Sequence, residues 1–358
     1  MNTFGHNLRI TVFGASHEDY IGLTIDGYPA GIVIDEELIK EKLRLRQGLN
    51  HIASKRHEPD RYRIIGGRFN NATTGAPLVF IVPNCDVDSK PYDDGYGLAR
   101  PSHADYTYYR KYRGFADYRG GGRASGRLTV VLIILGAVCE QLFAEHGIIV
   151  ASRIKVLGAI EDDEFEPSPE NLIKLRGQAM PVSAERVKNR MLARIQKLRE
   201  IGNSCGGVVS TYVSGLPVGL GNPFFDGMES FLAHLIFSVP GVKGLEFGTG
   251  FKIGSMLGSE ANDEMSYCDD RLVYHSNHAG GLNGGITNGN YLTFNTVFRP
   301  TPSVSCEQKT VNFLNKSNEK IKIEGRHDTV IAIKGLHVIN ALTAYAVTEM
   351  MLREKLLP

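Results

Sequence analysis

The chain has 358 residues, 42% hydrophobic and 22% charged, a balance that suits a folded chain with a large core rather than a disordered or fibrous one. With 40 basic and 39 acidic side chains the net charge is +1, so no global field draws it to nucleic acid or an anionic membrane, and any anion site must be local. The five cysteines (Cys85, Cys139, Cys205, Cys268, Cys306) are widely spaced without a CxxC pair, which argues against a disulfide framework or structural zinc and for a reducing, cytoplasmic setting. The segment MNTFGHNLRITVFG has no basic stretch followed by an apolar one. The longest apolar run, residues 128–138, is too short to cross a bilayer, so neither secretion nor membrane insertion is expected.

In chain order, residues 8–14 (LRITVFG) and 77–82 (PLVFIV) are short apolar runs bounded by Gly, Pro and Asn, which predicts two strands. Residues 35–46 (DEELIKEKLRLR) open on an acidic cap and keep helical spacing. From 124 to 145 the pattern is apolar almost all round, as expected of a central helix buried on every side. Residues 183–200 predict an amphipathic helix starting in a capping box, and GGVVSTYVSGLPVGLG (206–221) returns to period two. Residues 291–298 (YLTFNTVF) and 328–334 (DTVIAIK) predict strands, followed by a closing helix from about 337 to 355. No linker, low-complexity tract or repeat interrupts the chain, so the expectation is one α+β domain over residues 1–358.

Many of the 40 glycines are clustered, which suggests a ligand site built from loops. YRGGGRASGR (118–127) sets three glycines ahead of Arg123 and Arg127, just before the apolar stretch. Glycines, two cations and a helix start form an anion cradle, although a solvated turn with incidental arginines fits the same residues. No GKS or GKT follows, so it is not a Walker motif. RPSHADYTYYRKYR (100–113) gathers His103, Asp105, four tyrosines and basic residues. Such interleaving also suits single-stranded nucleic acid, against which the near-zero net charge speaks. His103 is a candidate proton donor or a histidine simply satisfied by hydrogen bonds. HSNHAGGLNGGITNG (275–289) exposes backbone N–H groups around two glycine pairs, a form also common in hairpins. RPTPS (299–303) places a cation, a Thr and a Ser at a strand end, as a phosphate clamp or a surface turn would. His17 in GASHED, and His327 in GRHD between Arg326 and Asp328, stand at loop edges, where an Arg near an Asp is more often a structural ion pair. Despite 11 histidines there is no HExxH and no paired His/Cys spacing, so no metal is expected.

Taken together and in this order, GxSH, RPxHADxTYxxKY, DxRGGGRxS, VKGxEFG, SNHAGGxxGGI and GRHD resemble the signature blocks of the chorismate synthase family, from Phe4 to about Ala346. The resemblance implies a helical layer between antiparallel sheets, a homotetramer, and reduced FMN as cofactor with NADPH as a candidate reductant. It implies the conversion of 5-enolpyruvylshikimate 3-phosphate to chorismate by anti 1,4-elimination of phosphate and a ring proton, without net redox change. In that reading His103 lies near the flavin's N1 side, His17 protonates the departing phosphate, and Asp328 works with flavin N5 to remove the ring proton. Ser16, Arg46, Arg100, Arg127 and Arg326 would bind substrate, while Arg123, Ala124, Ser125, Gly241, Gly284, Arg299, Thr301, Ser303 and Arg326 would bind FMN. A dianionic leaving group needs cations and an acid.

Several residues depart from the family pattern. GESHG reads GASHE, with changes at Ala15 and Glu18, and GRSSARET reads GRASGRLT, losing a hydroxyl at Ala124 and an acid at Leu128. Leu45 and His51 stand where arginines facing substrate or reductant are expected. RHDPC reads RHDTV, PTSS reads PTPS, and Asn340 replaces a usual Glu. An arginine lost from a buried anion costs roughly a few kcal/mol. Three expectations result: a working lyase of this kind, a paralogue that keeps FMN but processes another anion or turns over weakly, and a noncatalytic flavin- or nucleic-acid-binding protein.

Overall fold

Alternating apolar and polar side chains, as on a sheet with one face buried, mark the first hundred residues. In the structure, a computed structural model that describes residues 1–49, 58–323 and 328–357, this region forms a sheet with the strand order β1-β2-β3-β5-β4. Its members are β1 (Thr3–Phe4), β2 (Arg9–Gly14), β3 (Tyr20–Asp26), β4 (Arg63–Gly66) and β5 (Leu78–Pro83). A second sheet, ordered β9-β10-β8-β6-β7, comprises β6 (Ile149–Leu157), β7 (Ile160–Glu161), β8 (Gly207–Ser214), β9 (Val242–Phe247) and β10 (Leu292–Phe298). All pairings in both sheets are antiparallel.

The helices that matter for the site are α1 (Glu36–Gln47), α2 (Asp105–Lys111), α3 (Val130–Leu142), α4 (Glu185–Glu200), α5 (Met228–Phe237) and α6 (Ala332–Arg353). α3 packs on β3 and β5 of the first sheet, α6 on β6 and β8 of the second, and the two helices pack on each other. The expected helical layer between antiparallel sheets is therefore present. Where the helices meet, a Cβ on Gly136 would lie 2.4 Å from Ala341 Cα, so glycine lets the two backbones touch. One continuous core joins Leu23 and Phe80 of the first sheet to Ile154 of the second through Val138 and Val347. Glu349, fully buried on α6, accepts backbone N–H bonds from His6, Asn7 and Leu8 at 3.2, 3.0 and 2.7 Å, tying the N-terminus to the core.

The first two predicted strands and α1 lie within one residue of expectation, and the Asp35 carboxylate caps α1 by accepting from the Leu38 N–H at 2.9 Å. Three expectations change. The helix expected from 124 is preceded by two 3-10 turns, Arg119–Ala124 and Gly126–Thr129, because Gly120, Gly121 and Gly122 all have positive φ and α3 begins only at Val130. The capping box at Ser183 does not form, since its N–H donates to Asp162 and its hydroxyl accepts from Arg153. Residues 328–334 are not a strand: α6 starts at Ala332, and burial of Val330, Ala332 and Ile333 between the sheets outweighs their β propensity.

Candidate active site

Two cavities meet at Ala104 and Gly121. One, of about 480 Å³, is lined by Arg46, Asp60, His103, Arg127, Arg299, Thr301, Asp328 and Lys334. The other, of about 490 Å³, is lined by His17, Arg100, Asp105, Lys322 and the rings of Tyr92, Tyr96, Tyr108, Tyr109, Tyr118 and Phe313. Both volumes suit a small ligand.

His17 stands just after β2, against the triglycine turn. A Cβ on Gly120 would lie 1.9 Å from His17 Cε1, so only glycine fits beside the imidazole. The fully buried Ser16 supports it: its hydroxyl is 3.0 Å from His17 Nδ1 and its N–H donates to the Gly122 carbonyl at 3.3 Å. His17 Nε2 lies 3.3 Å from the Asp88 carbonyl, and the ring is edge-on to Tyr92 at 5.2 Å between centroids.

In the neighbouring cavity His103 Nε2 is 2.8 Å from Ser303 Oγ, and Arg299 donates to the Ser102 carbonyl at 3.0 Å. The Arg299 N–H donates to the Gly241 carbonyl at 2.9 Å. These bonds join the RPTPS and HADY segments, which are about 200 residues apart in sequence. Ala124, Ser125, Gly241 and Thr301 line the same wall. Thr301 Oγ1 is buried with no hydrogen-bond partner among the described residues, which leaves a hydroxyl for a polar ligand to satisfy.

The arginines are held by acids that the sequence reading missed. Arg127, 7% exposed, donates to the Asp60 carboxylate, to Asn84 Oδ1 at 3.0 Å and to the Pro83 carbonyl at 3.1 Å, with Glu58 at 3.6 Å. Arg46 is held more loosely, 3.3 Å from Asp60 and 3.4 Å from Thr129 Oγ1. Burial pushes the Asp60 carboxyl up, but the guanidiniums of Arg46 and Arg127 outweigh it and hold the group below the usual carboxylate range. Glu58 in turn accepts from the backbone N–H groups of Cys85 and Asp86 at 3.0 and 3.3 Å. The signal was there in Glu58-Pro-Asp60, two acids straddling a proline directly after a basic segment. Arg100 forms a two-point pair with Asp105 at 2.9 and 2.6 Å and lies over the Tyr92 ring at 5.2 Å. Lys334, read from sequence as the end of a strand, reaches Asp328 from the first turn of α6 at 3.2 Å.

Three predicted flavin ligands, Arg123, Gly284 and Ser303, line neither cavity, and Ser303 reaches the site only through its bond to His103. The kinked backbone of Gly120–Gly122 leaves Arg123 exposed and bonded to Asn2 Oδ1. Gly284 sits in a hairpin whose next residue, Gly285, accepts the Met228 N–H at 2.8 Å, so this glycine pair serves the start of α5. Arg326, His327 and His51 lie outside the described residues.

The departures separate by location. Leu45, 4% exposed, faces the core and lines a cavity of about 20 Å³ together with Glu140, Arg176, His337 and Asn340. Arg46, the next residue, lines the cavity of about 480 Å³. Leu45 is thus a core residue and not a lost substrate arginine. Asn340 lines the same small space and its Oδ1 accepts from Ser152 Oγ at 2.6 Å, so these two changes are one substitution of core contacts. Ala15 is buried, Leu128 packs half-buried on the core, and Glu18 is exposed and lines neither large cavity.

A sequence profile described as chorismate synthase matches residues 8–352, a span that contains both cavities. The chain belongs to the chorismate synthase family. It is 39% identical over 360 residues to a chorismate synthase of Dehalococcoides mccartyi, covering 100% of this chain and 98% of that protein. To a chorismate synthase of Korarchaeum cryptofilum it is 38% identical over 353 residues, covering 98% and 97%. A crystal structure of chorismate synthase has a TM-score of 0.77 with it at 25% identity, covering 98% of this chain and 93% of that one. Both sheets and the helical layer therefore lie within the likeness. Among the described residues no helix is long and apolar enough to cross a membrane.

Proposed function

We propose that the protein converts 5-enolpyruvylshikimate 3-phosphate to chorismate and phosphate with reduced FMN bound. The observation that carries this reading is the convergence of Arg46, His103, Arg127, Arg299, Thr301 and Asp328 on one cavity in a chain of this family. Ala124, Ser125, Gly241, Arg299 and Thr301 would hold FMN, and the orphan Thr301 hydroxyl and the glycine wall fit a planar polar ring. When bound, reduced FMN supplies electron density that eases departure of the phosphate.

The elimination breaks a ring C–H bond and a C–O bond. The C–H electrons form a new ring double bond, the existing one shifts, and phosphate leaves with the C–O pair. Asp328 takes up the proton and His17 protonates the phosphate as it departs. Arg46 and Arg127 offset the anionic charge from one cavity and Arg100 from the other, with Arg326 added on family resemblance. His103, bonded to Ser303, would present its imidazole to a flavin bound in this cavity. The tyrosines of residues 100–113 support this reading over nucleic-acid binding, because Tyr108 and Tyr109 line a cavity and Arg100 is paired.

The family resemblance further supports a cytoplasmic homotetramer of one-domain chains. Phe224, Phe225, Phe251 and Tyr267, exposed at 89, 93, 87 and 78%, are surface that assembly would cover. The test is anaerobic incubation of protein, photoreduced FMN and substrate, followed by absorbance of chorismate and release of phosphate. Tight flavin binding without product would favour the paralogue that acts on another anion. An arm with NADPH replacing photoreduction asks whether the protein reduces its own flavin.

A further inference from the structure

We propose that Lys334 is a positioning residue of this site, its ammonium group holding the Asp328 carboxylate in place and turned toward the cavity. The inference rests on the elimination reading above, in which Asp328 takes the ring proton.

Lys334 occupies the first turn of α6, and Asp328 lies four residues before that helix begins. Lys334 Nζ is 3.2 Å from one carboxylate oxygen and 3.4 Å from the other, so the ammonium bridges both. Each is the other's only hydrogen-bond partner among the described residues. Their side chains are 20% and 24% exposed, and both line the large cavity. A pair this shielded from water interacts far more strongly than one on the surface. A carboxylate at the end of a loop has two free torsions, and two-point contact with a helix-anchored cation removes much of that freedom.

The charge of Lys334 depends on the same contact. Burial, the largest influence, pushes the ammonium below the usual lysine range, and Arg46 on α1 adds to that push. Asp328 opposes it most and Asp60 assists. The ammonium therefore leans on its contact with Asp328 for its charge.

The experiment compares wild type with Lys334→Met, Lys334→Arg and Asp328→Asn, using oxidised FMN binding, thermal melting, kcat and KM, and NMR titration of lysines labelled with ¹³C at Cε. Lys334→Met should lower kcat by about 100-fold with KM changed by less than about threefold, because the base loses the group that holds it in place. FMN affinity should stay within about threefold, and Lys334→Arg should recover most of the turnover. Independently of turnover, Asp328→Asn should move the Lys334 resonance to titrate at lower pH. A kcat unmoved in Lys334→Met, or a Lys334 titration unmoved in Asp328→Asn, overturns the proposal. If wild type makes no chorismate, the lyase reading falls and the NMR titration alone judges the pair: a moved resonance keeps it and an unmoved one removes it.

Discussion

The cavity that holds Asp328 and the cavity that holds His17 share a wall at Ala104 and Gly121 but use charge differently. In the first, Arg46, Arg127 and Lys334 already face Asp60, Glu58 and Asp328. In the second, tyrosine and phenylalanine rings dominate and Arg100 is locked to Asp105. The arginine-rich motifs therefore do not supply a pool of unattached positive charge. Arg46, Arg100 and Arg127 come as preformed ion pairs, and an anion drawn to them must share or displace a carboxylate, so the looseness of each pair decides which of these cations can serve the ligand.

Removing the arginines one at a time is the strongest way to break that comparison. Arg127→Ala takes from the buried Asp60 one of its two guanidinium partners and from Glu58 a neighbouring cation, and should cost about 3 kcal/mol, read as a large fall in melting temperature. Arg46, whose bonds to Asp60 and Thr129 are longer, should behave otherwise. Arg46→Ala should keep most of the stability and lower kcat/KM by about 10–100-fold through KM. Equal stability losses in the two variants would erase the distinction between a fixed and a recruitable guanidinium.

The histidines sharpen the comparison from the other side. Alanine at either position should reduce turnover by about 10²–10³-fold without unfolding the chain. Only His103→Ala should weaken binding of oxidised FMN as well, since His103 is bonded to Ser303 beside the proposed flavin wall whereas His17 lines the tyrosine cavity. Flavin titrations that respond equally would mean that the wall at Ala104 and Gly121 does not separate their duties.

A third contrast lies under the site, in the small cavity below Leu45. Burial pushes the His337 imidazole down to about 4, from an ordinary value of 6.5. Its folded value is depressed, so the unfolded chain binds the proton more readily. The stability tied to neutral His337 is fully present above pH 6.5 and is lost as pH falls from there to about 4, by about 3 kcal/mol. His337→Gln should flatten that slope in denaturant titrations, and an unchanged slope would place the acid sensitivity elsewhere.

Motifs pointed to residues that the fold places on the two cavities. His17, His103 and Asp328 lie in short blocks whose spacing survives in the fold, and the apolar run ahead of Glu140 announced the central helix. What was hidden depends on tertiary pairing. Nothing in local spacing says that Asp60 meets both Arg46 and Arg127, or that Lys334 returns to Asp328, because those contacts form only after the chain folds back. Leu45 was misread for a related reason: successive helical residues point about 100° apart, so one position separates the core from the cavity. The β-branched run after Asp328 suggested a strand because propensity was the only local cue, and packing between two sheets overrode it.

The smallest effect is expected at Glu18, which sequence comparison made look like an intruding charge. Its side chain is exposed, and its backbone carbonyl rather than its carboxylate makes the structural bond, accepting from Asn84 Nδ2 at 2.6 Å. The same Asn84 amide reaches the Ala15 carbonyl at 3.0 Å, while its Oδ1 accepts from Arg127. The GASHE loop is therefore tied to the buried arginine by contacts that Glu18→Gly leaves intact. That variant should change stability by no more than about 0.5 kcal/mol and KM by less than about twofold. A KM lowered tenfold would show that the carboxylate faces the ligand after all, and would move this departure from the surface to the site.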